Sequence, residues 1–217
     1  MVIKRVLCAI MMLASVLILA SCGGSPAVTD TSSADTYANV GSNAAATASA
    51  PPETDVPSCG VLVAYFSCTG NTASAAEKIA KLTGADLYEI VPAIPYTSDD
   101  LNYNDDNCRA NREMNDPVSR PEIGGEKLDI SGYDTVIIGY PIWWGTAPRI
   151  IDTFLDTYDL SGKTVLPFCT SGSSGVSRSV GDIKSAAPDA DVRDGLRMNG
   201  ADDASVESWL RAGGAVK

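Results

Sequence analysis

Strand-like and helix-like segments alternate from residue 61 to residue 211, and this alternation constrains the fold more than any other feature of the chain. The apolar runs at 61–66, 135–140 and 164–169 are short, which is typical of strands buried on both faces. A helical pattern follows each run, and parallel strands need such crossover connections. The sequence therefore predicts an α/β fold, a three-layer doubly wound parallel sheet of five strands. The predicted strands are 61–66, 85–91, 135–140, 164–169 and 191–198, and the predicted helices are 71–82, 148–158, 176–186 and 202–211.

A hydroxyl-rich turn joins the first predicted strand to the first predicted helix, and its composition suits an anion-binding site. A helix N-terminus offers unpaired N–H groups and a partial positive charge, and Gly70 lets the backbone approach a ligand closely. Any strand–helix junction needs an N-cap, so composition alone also fits a purely structural turn. The turn lacks the Gly-Lys pair of a nucleoside triphosphate loop and the spaced glycines of a dinucleotide loop. Its residues are Ser67, Cys68, Thr69, Gly70, Asn71 and Thr72.

The run 67–72 resembles the phosphate loop of flavodoxins, which normally reads Ser/Thr-x-Thr-Gly-Asn-Thr. The resemblance implies the strand order 2-1-3-4-5 and FMN as the cofactor, with the FMN phosphate held by this loop. A cofactor that carries the chemistry suits this chain because it contains no histidine. The absence of histidine excludes the Ser–His–Asp triad, the Cys–His dyad and histidine metal sites.

Two more loops follow the third and fourth predicted strands, at the sheet edge where α/β proteins bind ligands. Adjacent tryptophans between proline and glycine favour an aromatic wall against a planar ring, with burial in the core as the alternative. By resemblance, the first loop borders the flavin ring, with Trp143 the first choice for stacking and Trp144 the second. The second loop borders the pyrimidine side, and its lack of tyrosine would leave one ring face open to a nicotinamide or a quinone. The predicted residues are Pro141, Ile142, Trp143, Trp144 and Gly145 in the first loop, and Thr170, Ser171, Gly172, Ser174 and Gly175 in the second.

The segment 92–130 interrupts the alternation because it is polar and longer than a plain crossover. We expect a helix within 99–115, followed by an extended arm. Two interpretations stay open: a surface excursion without function, or a cover over the cofactor or a docking surface.

The N-terminal part of the chain predicts export and lipid anchoring. Residues 1–22 have two basic residues, an apolar stretch and a Leu-Ala-Ser-Cys ending, which resembles a bacterial lipoprotein signal peptide with Cys22 as the lipid-bearing residue. An uncleaved membrane anchor is the alternative, although the apolar stretch is short for a span. Residues 23–57 predict a flexible tether, and 58–217 predict the flavodoxin-like domain. We expect an extracytoplasmic domain held at a bacterial membrane by its lipid anchor alone.

Charge and cysteine content limit the partners and the chemistry. The formal net charge of −11 disfavours nucleic acid and favours a basic protein partner. The cysteines of the folded part fit no zinc pattern, and their pairing stays open. Cys68 and Cys169 follow strands and are either reactive thiols or, more commonly, small buried fillers. The folded part contains Cys59, Cys68, Cys108 and Cys169.

Three functions are compatible with these features. The first is an FMN-binding flavodoxin-like protein that transfers electrons at the outer face of the membrane, with a redox protein or a quinone as partner. The second is an FMN-dependent NAD(P)H or quinone oxidoreductase, which the open ring face would serve. The third is a tethered, non-redox binding domain with a relic flavin site.

Overall fold

A computed structural model describes residues 60–216 of the chain. The predicted signal peptide 1–22 with Cys22, the predicted tether 23–57 and Cys59 lie outside the described residues. No helix within 60–216 has the length and apolar character needed to cross a membrane.

Within residues 60–216, six strands and five helices alternate largely as the sequence predicts. The elements are β1 (Val61–Tyr65), α1 (Asn71–Thr83), β2 (Asp86–Glu89), α2 (Arg109–Asn115), β3 (Thr135–Pro141), α3 (Arg149–Thr157), β4 (Thr164–Thr170), α4 (Ser177–Ala186), β5 (Asp191–Val192), β6 (Leu196–Arg197) and α5 (Asp203–Ala212).

The strands form one parallel sheet in the order β2-β1-β3-β4-β5, with β6 also paired to β4. The predicted α/β fold and its 2-1-3-4-5 order are confirmed. The chain reverses its winding direction between β1 and β3, so the loops after these two strands open a crevice at the carboxyl edge of the sheet.

The predicted last strand consists of two short pieces because Pro167 in β4 lacks an N–H. The N–H of Arg193 donates to the carbonyl of Val165 at 2.9 Å, and the next ladder bond of a regular parallel pair would come from residue 167. Beyond this gap the pairing shifts by one residue, from Val165↔Val192 to Phe168↔Leu196. The extra residue makes a bulge that interrupts the strand.

Helices cover both faces of the sheet, and each face has its own apolar core. α1 and α5 pack on one face with Ile79, Val206 and Leu210 fully buried. α2, α3 and α4 pack on the other face.

Gly139 in β3 leaves room for a phenylalanine ring, since a Cβ there would lie 2.0 Å from Cζ of Phe168.

The segment 92–130 contains the seven-residue helix α2 and folds against the domain. A backbone pair closes the segment on itself just after β2, where Ala93 donates to Glu122 O and Gly124 donates to Val91 O, each at 2.8 Å. Its helix lies inside the predicted 99–115 window, and Ala110 is fully buried. The segment is therefore an integral part of the domain.

Candidate functional site

A cleft of about 320 Å³ lies at the carboxyl ends of β1, β3 and β4, where the sequence places its three candidate loops. Ten of the sixteen predicted cofactor-binding residues line it. The six predicted residues that do not line it are Ser67, Gly70, Trp144, Gly145, Ser174 and Gly175. The residues that line the cleft are Cys68, Thr69, Asn71, Thr72, Leu101, Tyr103, Pro141, Ile142, Trp143, Thr170, Ser171, Gly172 and Asn199.

The turn 67–72 presents hydrogen-bond donors without a compensating acidic group. Gly70 has a φ of 83° and caps α1, and the N–H of Ser74 makes the first intrahelical bond, to Gly70 O at 2.9 Å. The three preceding N–H groups, of residues 71–73, therefore have no intrahelical acceptor. The first turn of α1 contains no acidic residue. This helix start carries a partial positive charge that favours an anion.

Ser67 supplies the most informative atom of this turn. Its Oγ is buried and has no hydrogen-bond partner in the part of the chain that the structure describes. An unpaired buried hydroxyl costs about 1–3 kcal/mol, so native proteins rarely keep one without a function. A bound anion at the turn would remove this cost.

Two threonine hydroxyls extend the donor set of the turn. Thr69 Oγ1 accepts a hydrogen bond from Asn71 Nδ2 at 3.2 Å, so its own hydrogen is free to donate. Thr72 Oγ1 and Thr170 Oγ1 share a buried hydrogen bond of 2.7 Å, which joins α1 to the end of β4. Either atom can be the donor there, and the other hydroxyl keeps its hydrogen for a ligand.

The two tryptophans of the loop 141–145 occupy different environments. Trp143 lines the cleft but is only 4% exposed, and its ring packs edge-on against Phe66 and Tyr96 at centroid distances of 5.6 and 5.3 Å. Trp144 is 39% exposed and packs edge-on against Tyr103 at 5.0 Å. Trp143 thus combines a core position with one edge on the cleft, and Trp144 forms an aromatic rim with Tyr103. The prediction that Trp143 stacks on a ring stays a prediction.

A tight turn holds these tryptophans. Trp143 and Thr146 exchange two backbone hydrogen bonds, of 2.9 and 3.0 Å, around Trp144 and Gly145. Both central residues have positive φ, 47° and 82°, as a type I′ turn requires. This conformation is unfavourable for a tryptophan. The Thr146 hydroxyl donates to Asp182 of α4 and so anchors the turn.

Only the start of the loop 170–175 lies at the cleft, as predicted. Thr170, Ser171 and Gly172 line the cleft, whereas Ser174 and Gly175 lie beyond it. The N–H of Ser171 donates to Asn199 Oδ1 at 2.7 Å, so it is not free for a ligand.

Sequence reasoning missed Leu101, Tyr103 and Asn199. The first two come from the segment 92–130, whose loop is held to its own helix α2 by bonds from Ala110 N to Asp100 O (3.0 Å) and from Asn111 Nδ2 to Asp105 O. The unusual length of that segment was the only sequence signal for these two residues. Because Leu101 and Tyr103 line the cleft, the structure favours the interpretation of the segment as a cover over the cofactor. Asn199 follows the interrupted last strand, so no pattern indicated which edge it reaches.

A half-buried ion pair within the segment 92–130 packs against Tyr96. Arg109 Nε donates to Glu113 at 2.6 Å, and its guanidinium lies 4.0 Å from the centre of the Tyr96 ring. The Tyr96 hydroxyl donates to the other oxygen of Glu113 at 2.5 Å. Burial, and then this bond, raise the pKa of Tyr96. These contacts hold Tyr96, whose ring packs against Trp143. They therefore connect the segment 92–130 to the loop 141–145.

The thiols near the cleft are in their unreactive form. Burial raises the pKa of Cys68 to about 12, although the Arg109 charge opposes this shift. Burial likewise raises the pKa of Cys169 to about 11. Both are free cysteines, as is Cys108, so none of these three pairs with another described cysteine. Within 60–216, no cluster of three or more Cys, Asp or Glu side chains forms a metal site.

A family model and several solved structures relate this chain to flavodoxins and flavoproteins. The sequence model described as flavodoxin matches residues 60–212. A Bacteroides eggerthii protein assigned as a flavoprotein is 50% identical, with a TM-score of 0.69 over 72% of this chain and 98% of that one. One from Bacteroides uniformis is 44% identical, with a TM-score of 0.67 over 70% and 97%.

A more distant structure shows a ligand. The Lactobacillus acidophilus flavoprotein in complex with FMN is 28% identical, with a TM-score of 0.53 over 69% of this chain and 97% of that one. No curated protein matches the chain. The match spans all of the elements that build the cleft, and the chain therefore belongs to the flavodoxin family.

Proposed function

We propose that this chain binds FMN in the cleft and acts as an electron-transfer protein. The observation that carries the proposal is the buried, unpaired Ser67 Oγ, which belongs to the same turn as the N–H groups that start α1. A phosphate monoester would accept from this hydroxyl and from those N–H groups at once. The L. acidophilus relative was crystallised with FMN, and FMN has such a phosphate.

The chain's own residues would bind and orient FMN and need not move protons. FMN, when bound, accepts and donates electrons at its isoalloxazine ring. The turn 67–72 would hold the phosphate, and Trp143 and Tyr103 would flank the ring. Burial raises the pKa of Cys68 and of Tyr103, so both cleft side chains are neutral near pH 7. Neither is available as a base, which suits a carrier better than an acid–base enzyme.

The charge of the chain supports a basic redox partner. An acidic protein steers a cationic partner toward it and repels an anionic one. The partner meets the ring at the rim formed by Trp144 and Tyr103, whose side chains are exposed. The N-terminal sequence supports action at the outer face of a bacterial membrane.

A second candidate is an FMN-dependent NAD(P)H or quinone oxidoreductase. The exposed loop 171–175 has no aromatic side chain that would cover the outer ring face, so a planar substrate could reach it. Steady oxidation of NAD(P)H by the FMN-loaded protein would favour this candidate. Reduction of a cationic haem protein by the pre-reduced protein, slowed by salt, would favour the electron carrier.

The test of the phosphate site compares FMN with riboflavin, which lacks the phosphate. Thr69→Val removes a free hydroxyl hydrogen of the turn, and Thr157→Val removes an exposed hydroxyl at the far end of α3 as a control. We expect Thr69→Val to weaken FMN about tenfold or more and riboflavin less than twofold. Equal losses for the two ligands would show that the turn does not hold the phosphate.

A further inference from the structure

One wall of the cleft presents donors, because the orientation of Asn199 is fixed. Asn199 Oδ1 accepts from the Ser171 N–H at 2.7 Å. A backbone N–H can only donate, so the amide oxygen must face the loop and the NH₂ group must point away from it. Among residues 60–216, no acceptor receives a hydrogen bond from this NH₂ group. Since Asn199 lines the cleft, the NH₂ group is available to a ligand there.

Arg197 supplies positive charge behind the same wall. Its guanidinium donates to Ser171 O at 3.2 Å and to Gly172 O at 3.4 Å, so these two loop carbonyls already accept a hydrogen bond. No carboxylate forms an ion pair with Arg197 within the described chain. Arg193, four residues earlier, pairs with Asp191 at 2.5 Å. The Arg197 charge is therefore uncompensated locally, in a protein that is otherwise acidic.

The position of the phosphate site decides which part of the ligand meets this wall. A phosphate at the turn 67–72 leaves the ring between the loop 141–143 and the loop 170–172. The benzenoid edge of a flavin carries only methyl groups, whereas its pyrimidine edge carries two carbonyls and ring nitrogens. The hydrogen-bond donor of Asn199 suits the carbonyl acceptors of the pyrimidine edge. That edge also gains negative charge when the flavin is reduced, so nearby positive charge favours the reduced form.

We propose that Asn199 donates to the pyrimidine edge of FMN, and that the Arg197 charge behind it strengthens the binding of reduced FMN relative to oxidised FMN. This inference depends on the proposed function. It assigns two residues outside the predicted loops, and it gives the acidic protein a local positive site that keeps the reduced cofactor bound.

The experiment measures dissociation constants for oxidised FMN and, anaerobically, for dithionite-reduced FMN on the full chain in detergent. Arg197→Gln should weaken reduced FMN about tenfold more than oxidised FMN, which lowers the two-electron potential by about 30 mV. Arg197→Lys keeps the charge and should restore most of the ratio. Arg193→Gln makes the same charge change on the same segment and should alter the ratio less than twofold.

Asn199→Asp is the second variant, and it keeps an oxygen for the Ser171 N–H. It replaces the NH₂ donor by a carboxylate oxygen and should also disfavour reduced FMN by about tenfold. Equal changes in both dissociation constants for Arg197→Gln and Asn199→Asp would overturn the inference, because a merely structural wall affects both forms alike. A wild-type chain that binds no FMN would instead refute the proposed function itself.

Discussion

Ser67→Ala has opposite expected effects on the free protein and on its complex. In the free protein the Ser67 Oγ is buried without a partner. Removing it eliminates a desolvation cost of about 1–3 kcal/mol and loses no internal hydrogen bond. The alanine also fits a site already shaped for a slightly larger side chain. We therefore expect the free energy of unfolding of the FMN-free protein to rise by about 1 kcal/mol.

The same substitution should weaken FMN. A hydrogen bond to a charged group contributes about 1.5–3 kcal/mol, which corresponds to a roughly 10- to 150-fold higher dissociation constant. Riboflavin, without the phosphate, should bind nearly as before. Urea unfolding of the FMN-free protein and fluorescence titration with both ligands measure the two effects.

Ser74→Ala is the matched control, since Ser74 lies in α1 one turn beyond the site and is exposed. It should leave the dissociation constant for FMN unchanged within about twofold. A Ser67→Ala protein that is less stable than wild type, or that binds FMN normally, would refute the assignment of the unpaired hydroxyl to the phosphate.

Three other substitutions or conditions test the surroundings of the cleft. Trp143→Ala should cost about 3–5 kcal/mol of unfolding free energy because it empties a buried aromatic site, whereas Trp144→Ala should cost about 1 kcal/mol or less; similar losses in urea unfolding would contradict their different burial. Gly139→Ala forces a methyl group into a phenylalanine ring and should cost at least about 1–3 kcal/mol, whereas Gly132→Ala meets open space and should cost less than about 0.5 kcal/mol. Burial raises the pKa of Cys68 from 9.0 to about 12, so its contribution to stability is complete below pH 9 and is lost as the pH rises toward 12. Thiol labelling at pH 8 should therefore be slow in the folded protein and fast in urea, and rapid labelling of the folded protein would show that the thiol is accessible.

The sequence predicted the elements whose signals are local. The first strand, its turn and the following helix were recognisable because an apolar run, a glycine in a hydroxyl-rich turn and helical spacing follow one another within 61–82. The order of the strands followed from the family resemblance, and the sheet confirms it.

The missed features depend on tertiary contacts. The break in the last strand comes from Pro167 on the neighbouring strand, not from the sequence of the last strand itself. Tyr103 reaches the cleft because α2 holds its loop there, and Asn199 reaches it through one bond to Ser171. The separate environments of Trp143 and Trp144 follow from a turn conformation that favours glycine and asparagine. No local pattern reports such contacts.

The visible absorption spectrum of the purified full chain, recorded before and after addition of FMN and then of dithionite, tests the central claim most directly. The account predicts flavin absorption that stays with the protein through gel filtration, bleaches on reduction and returns when a cationic haem protein accepts the electrons. A colourless protein that retains no added FMN would contradict it.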